Sequence, residues 1–327
     1  MKLEAILKKM GTCFLNLESG FEYGPQGRLL LRNIENIWFH HCVTTSRYNV
    51  FLSGPDKFAK TMQGLKDANV DNLPFGLAAF EISKSMWNQS LLNFDSKVVA
   101  HKTAKVSTFN DGLSTKDLFH KKQRERRAWW RKLSQQPSRF VLSEAKRVKN
   151  SEIIDIEAQF PFGNIIVETI TYQRDLRKLP FQDKTGKDDI IDVRVVEHVA
   201  SLDWGCLALL CDSYKETDSS IELQMQPKIS PYKAICKVKI DTTDTDSVKE
   251  DLNELMLYIN SLLRTKGLST VFTSKKDSPE SIHVPFVIAV DKTSLKNGIV
   301  KVTSQVTTLA ESVHVTELVN HIALHCT

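Results

Sequence analysis

A basic run between His120 and Lys132 contains the side chains of this chain that are best suited to a chemical role. Seven of its residues are lysine or arginine, one is glutamate, and Trp129 and Trp130 stand inside it. Cations on successive helical turns can neutralise phosphates, and aromatic rings can stack on bases. The run therefore predicts nucleic-acid contacts from all seven basic residues: Lys121, Lys122, Arg124, Arg126, Arg127, Arg131 and Lys132.

The same composition is also typical of a solvated charged face with buried tryptophans. For Trp129 and Trp130 we favour burial, because so polar a helix needs an apolar anchor to dock. For the basic residues we favour nucleic-acid contact, because nearly all the charges share one sign. Three further cations, Lys146, Arg147 and Lys149, are candidates to extend the patch.

Other residues with metal-binding or catalytic chemistry are not arranged in a recognisable pattern. His40-His41-Cys42 offers ligand types, but no second ligand pair follows at zinc spacing, so we interpret it as a helix end. His321, His325 and Cys326 are interpreted as the surface of a terminal helix, and Asp188-Asp189 as a solvated loop. The P-loop, G-x-S-x-G and H-E-x-x-H motifs are absent. The sequence predicts no metal, no cofactor and no catalytic residue.

Composition bounds the class of protein. The 327 residues are 41% hydrophobic and 25% charged, with a net charge of +5. This length favours two domains of about 100–200 residues each, and the mildly basic charge is compatible with nucleic acid without indicating it. No apolar run reaches the roughly 18–20 residues that span a bilayer, so no membrane association is expected. The six scattered cysteines favour buried free thiols in a reducing compartment.

The elements that would position the basic run follow from hydrophobic periodicity. Residues 115–134 form a long charged helix, and the polar stretch 216–231 is a domain boundary. β-Branched runs at 153–157, 165–171 and 190–200 predict strands mixed with one helix. Earlier in the chain we expect two helices around the Gly20–Pro25 turn, a strand at Tyr48–Ser53 and a strand at 98–109.

The tail after Pro231 alternates between strand and helix patterns. Strands are predicted at Tyr232–Ile240, Val271–Phe272, Val284–Val290 and Ile299–Val306, and helices from Asp246 or Ser247 to Gly267 and over 309–325. Lys296-Asn-Gly298 predicts a tight hairpin turn between the last two strands. Such alternation favours a compact α/β domain with a mixed sheet.

Two segments carry a family resemblance. Phe21–Trp38, with its Gly24-Pro25 turn into a helix, and Leu73–Ala79 resemble the first and second signature regions of glycyl-type class II aminoacyl-tRNA synthetases. The resemblance implies arginines around ATP, because a guanidinium fork binds phosphate oxygens bidentately. No arginine occurs from Asn49 to Lys122, and Trp204 stands where the third signature would have one. The resemblance, together with the missing arginines, therefore implies a synthetase-like scaffold that cannot form an adenylate.

Further strings narrow the resemblance. Arg127–Phe140, Gln159–Asn164 and Phe286–Val300 together resemble the accessory subunits of mitochondrial DNA polymerase gamma. This implies an α/β (α+β) chain in two parts. Residues 1–225 would be a non-catalytic class II synthetase-like domain, an antiparallel sheet with helices. Residues 226–327 would be an anticodon-binding-type α/β domain with a mixed sheet.

The resemblance also implies a role. Such a subunit binds the polymerase gamma catalytic subunit and primer-template DNA as a processivity factor, in the nucleoid of the mitochondrial matrix. Our candidates for the polymerase-facing surface are Lys292, Leu295, Lys296 and Asn297. Vertebrate members carry an inserted helical dimerisation element, for which Asp56–Asn72 leaves little room. One accessory subunit per complex is expected, and a homodimer is doubtful. The alternative is a divergent class II synthetase-like tRNA-binding protein.

Overall fold

Two β-sheets of different construction organise the chain. The computed structural model describes residues 3–18, 20–54, 57–68, 70, 72–84, 87–88, 91, 99–111, 114–180, 190–216, 221–273 and 283–326. Its contacts divide the chain into a first unit of residues 1–8, 16–22 and 34–212 and a second unit of residues 9–15, 23–33 and 213–327. The predicted domain boundary between residues 225 and 226 stays a prediction.

The elements up to Ser213 are mostly long strands and helices. Helices are α1 (Leu3–Met10), α2 (Pro25–Phe39), α3 (Phe58–Asp67), α4 (Thr115–Leu133) and α5 (Leu202–Ser213), with a π-helix at His40–Thr44 and a 3₁₀ turn at Pro137–Arg139. Strands are β1 (Leu15–Asn16), β2 (Glu22–Tyr23), β3 (Asn49–Leu52), β4 (Phe75–Ser83), β5 (His101–Asp111), β6 (Phe140–Leu142), β7 (Lys146–Val148), β8 (Ser151–Phe160), β9 (Gly163–Pro180) and β10 (Ile190–Ser201).

The first unit is built on an eight-stranded sheet. The strand order is β3-β4-β5-β10-β9-β8-β6, with β7 pairing to β8. Among the pairings described within this sheet, the β3–β4 pair is parallel and the others run antiparallel. The three β-branched runs predicted as strands with one helix are all strands, and the helix follows them at α5. The expectation of a helix within those runs was wrong.

The remaining elements form a separate pair of short strands and then the second sheet with its helices. Strands are β11 (Tyr214–Glu216), β12 (Ile221–Leu223), β13 (Ala234–Val238), β14 (Thr270–Thr273), β15 (Phe286–Val290), β16 (Ile299–Ser304) and β17 (Ala310–His314), and helices are α6 (Asp246–Thr265), α7 (Lys292–Asn297) and α8 (Val315–Cys326). The sheet order is β14-β13-β15-β16-β17. β13 is parallel to both its neighbours, whereas β15–β16 and β16–β17 are antiparallel. This is the predicted mixed sheet, and the α/β, class II synthetase-like fold class is confirmed.

Two local predictions in the tail were wrong. Lys296-Asn-Gly298 does not form a tight hairpin turn, because Asp291 and Ser294 form a capping box that starts the short helix α7. Gly298 ends α7 with φ +68, the left-handed conformation in which glycine is least strained. The predicted final helix over 309–325 begins only at Val315, because residues 310–314 pair with β16.

None of the helices within the described ranges is long and apolar enough to cross a bilayer. Asp188 and Asp189 lie outside the described residues, so their interpretation as a solvated loop stays a prediction.

Candidate nucleic-acid interface

Helix α4 has a buried face and an opposite basic face. The buried residues recur at helical spacing: Thr115, Leu118, Phe119, Gln123, Arg126, Trp129, Trp130 and Leu133. Both tryptophans belong to this face, so their interpretation as core residues is confirmed. The periodic apolar positions dock the helix on the sheet and thereby orient every charged side chain along it.

Five of the seven predicted cations lie on the outer side of α4, and we call them the basic face: Lys121, Arg124, Arg127, Arg131 and Lys132. At about 100° per residue they fall within an arc of about 140°. From the first to the last they extend about 16 Å along the helix at about 1.5 Å per residue. That length corresponds to about five phosphates of one strand at about 3.4 Å each.

Arg126 is not on this face, and its prediction as a DNA contact is corrected. The side chain has no exposed surface. Its Nε lies 2.8 Å from Oε1 of Glu168, its Nη1 donates to Sγ of Cys42 at 3.1 Å, and its guanidinium lies 4.4 Å from the ring centre of Trp129. A guanidinium enclosed in this way has no route to a phosphate.

Glu168 is the centre of this buried network. Besides Arg126, its carboxylate accepts a hydrogen bond of 2.7 Å from Nε1 of Trp130. Nδ1 of His198 lies 3.0 Å from Oε1. Since Glu168 is on β9, these contacts fix α4 to that strand by polar contacts as well as by apolar packing, and His198 connects Glu168 to β10. Removing one of these partners would leave the buried carboxylate incompletely paired and would destabilise the fold.

The pKa values of the network favour one charge state. Burial alone would raise the pKa of Glu168, but the Arg126 guanidinium and the neighbouring hydrogen bonds outweigh burial and lower it. Burial lowers the pKa of His198 to about 4 and raises the pKa of the Cys42 thiol to about 12. Near neutral pH the network therefore holds an ion pair, a neutral imidazole and a neutral thiol.

Helix α5 presses against α4 at a glycine. A Cβ built on Gly205 would lie 2.2 Å from a ring carbon of Trp130, so only glycine allows this approach. The carboxylate of Asp212, also on α5, accepts from the backbone nitrogens of Gln135 and Gln136 at 2.6 and 3.2 Å. These contacts fix the end of α4, where Lys132 is exposed and Arg131 is half-buried with its Nε donating to the carbonyl of Phe140 at 3.0 Å.

Lys122 points away from the basic face into a pocket. The pocket has a volume of about 200 Å³ and is lined by His41, Thr45, Ser46, Arg47, Tyr48, Leu118, Lys121, Lys122 and Glu125. Nζ of Lys122 donates to Oε1 of Glu125 at 3.0 Å, and Nε2 of His41 lies 3.4 Å from the same oxygen. Burial would raise the pKa of Glu125, but the hydrogen bonds of His41 and Lys122 hold it below its ordinary range. Glu125 is therefore ionised.

The His40-His41-Cys42 segment forms most of the π-helix. His40 is exposed, His41 faces Glu125, and Cys42 is buried against Arg126. Among the residues that the structure describes, no three histidine, cysteine, aspartate or glutamate side chains are grouped so that they could hold a metal ion.

The sheet of the first unit turns its other face away from α4. On this face Glu81 pairs with Lys105 at 3.2 Å, Ser107 donates to Glu197 at 2.7 Å, and Thr169 donates to Asp155 at 2.7 Å. These carboxylates are satisfied by side chains of neighbouring strands.

At the end of the sheet, Trp204 opens α5. It is buried and meets Phe21 edge-to-face with ring centres 5.0 Å apart. Trp204 is thus a packed neutral indole, and its assignment to the third-signature position stays a prediction.

The four candidate partner residues lie on α7. Lys292 is exposed with its Nζ 3.6 Å from Oδ1 of Asp244, Leu295 is 37% exposed, and Lys296 is exposed. Oδ1 of Asn297 accepts from the backbone nitrogen of Ile299 and thereby helps to end the helix. The other basic candidates lie on β7 and the turn after it. Lys146 pairs with Asp155 at 3.1 Å, and Arg147 and Lys149 are exposed.

Sequence reasoning missed the Glu168 network and the pocket. Glu168 is a single acidic residue within a β-branched run, and nothing near it in the sequence indicates which side chain it pairs with. Its partner Arg126 is one of seven basic residues in the run from His120 to Lys132. The helical period of the buried positions could have separated Arg126 from its neighbours. The pocket joins residues 41–48 to α4, and such a long-range contact leaves no signal in spacing.

Comparison with known proteins places these features in a context. No protein-family model matches the chain. The chain is 25% identical over 226 residues to DNA polymerase subunit gamma-2, mitochondrial, of Drosophila melanogaster, with 62% of this chain and 61% of that protein covered. It is 28% identical over 226 residues to the protein of the same name from Xenopus laevis, with 60% and 46% covered.

A second kind of relative is an enzyme. The chain is 22% identical over 277 residues to glycine–tRNA ligase of Chlorobaculum tepidum, with 79% of this chain and 58% of that protein covered. In all three comparisons the chain spans less than two thirds of the relative's length. The resemblance to polymerase gamma accessory subunits on a synthetase-like scaffold, which the sequence motifs indicated, is confirmed.

Proposed function

We propose that this chain is a non-catalytic accessory subunit of mitochondrial DNA polymerase gamma. It binds the catalytic subunit, raises the affinity of the complex for primer-template DNA, and so raises processivity. The basic face of α4 is the observation that carries the DNA part of the proposal. A second attachment to DNA lowers dissociation, because the detached partner rebinds at a high effective concentration.

The orientation of α4 supports the DNA contact. The basic face holds five cations within one arc, and the opposite side of the helix is fixed by Arg126, Trp129 and Trp130. Because the helix is already folded and fixed, binding to phosphates requires the ordering of these side chains and not of the backbone that carries them. Because such contacts release counterions, binding should weaken steeply as salt rises.

The synthetase-like part supports a binding role over catalysis. The second-signature region, Leu73–Ala79, continues into Phe80-Glu81-Ile82 without arginine, and Trp204 occupies the third-signature position. Each missing arginine would remove charge-assisted hydrogen bonds to phosphate, of about 1.5–3 kcal/mol each. We therefore infer that amino-acid activation does not occur.

The surface around α7 is our candidate for contact with the catalytic subunit. Lys292 and Lys296 are exposed cations, and Leu295 and Ile299 are large apolar side chains that are 37% and 39% exposed. We choose this surface because an exposed apolar patch with a polar rim is the arrangement that marks protein–protein interaction sites. A mitochondrial matrix and nucleoid location, and one accessory subunit per complex, belong to the same proposal.

Copurification and a stimulation assay test the proposal. The chain should bring down a large polymerase subunit from mitochondria, and it should lengthen the products of that subunit in a salt-sensitive way. Recovery without any polymerase subunit, together with no effect on synthesis, would contradict it.

The alternative is a divergent synthetase-like tRNA-binding protein, which the similarity to glycine–tRNA ligase favours. It predicts preference for tRNA over primer-template DNA, or pyrophosphate exchange with ATP in the presence of an amino acid. Competition binding with both nucleic acids, and an exchange assay, separate the two candidates.

A further inference from the structure

We propose that the pocket between the π-helix and α4 binds the terminal phosphate of a DNA strand. This inference rests on the proposed DNA binding, and it assigns a separate subsite to residues that the basic face does not explain. The pocket is lined by three basic side chains, those of Arg47, Lys121 and Lys122, and by His41.

The charge of the pocket favours an anion. Glu125 is the one carboxylate among the lining residues, and it is already held by His41 and Lys122 at 3.4 and 3.0 Å. Three basic side chains against one carboxylate leave a net charge of +2 from these four groups. A terminal phosphate carries about −1.5 to −2 near neutral pH, whereas an internal phosphodiester carries one negative charge. The terminal group is the better electrostatic match.

The shape of the pocket also favours a group at a strand end. Its volume is about 200 Å³, whereas one water occupies about 30 Å³ in the liquid. The space is sufficient for a phosphate and part of its sugar. A recess receives a group that projects from the end of a strand more readily than a phosphate within a continuous backbone. Ser46 and Tyr48 line the same space, and their hydroxyl groups can donate to phosphate oxygens, whereas the hydroxyl of Thr45 already donates to the carbonyl of His40 at 3.0 Å.

The local backbone explains why these groups converge. Helix α2 ends in a π-helix, where the backbone nitrogen of Thr45 donates to the carbonyl of His40 at 2.9 Å, five residues back. Such wider turns occur often at functional sites. Here the wide turn places His41 beside Glu125 and Cys42 against Arg126, so residues 45–48 follow directly along the wall of the pocket.

The position of Lys121 connects the pocket to the basic face. Lys121 lines the pocket and is also the first cation of the basic face. A strand that follows the basic face toward the start of α4 therefore arrives at the pocket. The pocket would hold the end of the strand while the basic face contacts the backbone behind it.

The test compares two hairpin DNAs of one sequence, one with a 5′-phosphate and one with a 5′-hydroxyl, by fluorescence anisotropy. The chain should bind the phosphate-ended DNA about tenfold more tightly. The pocket variant Arg47→Gln/Lys122→Gln should lose this ratio and keep its affinity for the hydroxyl-ended DNA. The matched control Arg124→Gln/Lys132→Gln removes two charges from the basic face; it should weaken both complexes and keep the ratio.

Inorganic phosphate provides a readout that does not need DNA. Phosphate should raise the melting temperature of the chain at constant ionic strength, and the pocket variant should lose this shift. A second outcome is that phosphate raises the melting temperature of the wild type and not of the pocket variant, while the wild type binds neither DNA. The pocket would then still be a phosphate site, but its assignment to a strand end would be overturned and the proposed function contradicted. Equal affinity of the wild type for both DNAs, or a preference that survives in the pocket variant, would overturn the inference.

Discussion

Nε of Arg126 lies 2.8 Å from Oε1 of Glu168, and neither side chain is exposed to solvent. One arginine of the basic helix α4 is therefore buried in the interior of the protein. The pair lies between α4 and β9, with Trp130 donating to the second carboxylate oxygen. The contacts of Arg126 and Trp130 with Glu168 fix the rotation of α4 about its axis. They thereby determine the direction in which the charges on its outer side point.

Replacing Arg126 should destabilise the fold, whereas replacing its neighbour Arg124 should not. We expect Arg126→Met to lower the free energy of unfolding by about 3–5 kcal/mol, because Glu168 would lose its counter-charge while buried. Arg124→Met, at an exposed position on the same helix, should change it by less than about 0.5 kcal/mol. Urea denaturation of both variants measures the difference, and similar values for the two would contradict the buried pair.

Gly205 should tolerate no side chain. Gly205→Ala places a Cβ 2.2 Å from Trp130, and we expect a loss of about 1–3 kcal/mol from overpacking. Gly64 provides the matched control, because it is also helical and a Cβ there meets nothing within 4 Å. Gly64→Ala should stabilise the chain by about 0.4–1 kcal/mol. Thermal unfolding gives both signs, and a neutral Gly205→Ala would mean that α4 and α5 are farther apart.

Stability should fall as the pH is lowered from 6.5 toward 4.5. Burial lowers the pKa of His198 from 6.5 to about 4, so in this range the unfolded chain binds a proton that the folded chain does not. The unfolded state is then favoured by up to about 1.4 kcal/mol per pH unit for this one group. Denaturation curves at several pH values give the slope, which His198→Gln should reduce. An unchanged slope in that variant would show that His198 titrates normally in the fold.

Charge removal from the basic face should change the salt dependence of DNA binding. For Arg124→Gln/Arg127→Gln we expect the slope of log K against log salt to decrease in magnitude by about 0.7–0.9 for each phosphate that the variant no longer neutralises. The decrease in affinity should be similar for unrelated DNA sequences, because phosphates carry no sequence information. Lys116→Gln, which removes a charge at an exposed position outside the basic face and the pocket, is the control and should leave the slope unchanged.

The parts of the fold that local patterns encode were predicted, and the parts that depend on distant partners were not. The long charged run predicted α4 and the apolar face of the tail helix predicted α6, each to within one or two residues, and β-branched runs located β8, β9 and β10 although one helix was expected among them. Asp291 and Ser294 redirected the predicted hairpin, because a capping box competes with a tight turn for the same residues. Arg126 was assigned to DNA because a sequence shows its charge and not Glu168, which approaches it from 42 residues away.

The most direct test of the central claim is the length of DNA that the polymerase gamma catalytic subunit synthesises in one binding event, measured with an excess of trap DNA. Addition of the chain should lengthen the products. Arg124→Glu/Arg127→Glu should abolish most of this increase while the variant still copurifies with the catalytic subunit, and Lys116→Glu should retain it. Full stimulation by Arg124→Glu/Arg127→Glu, or no stimulation by the unaltered chain, would contradict a role for α4 in holding the polymerase on DNA.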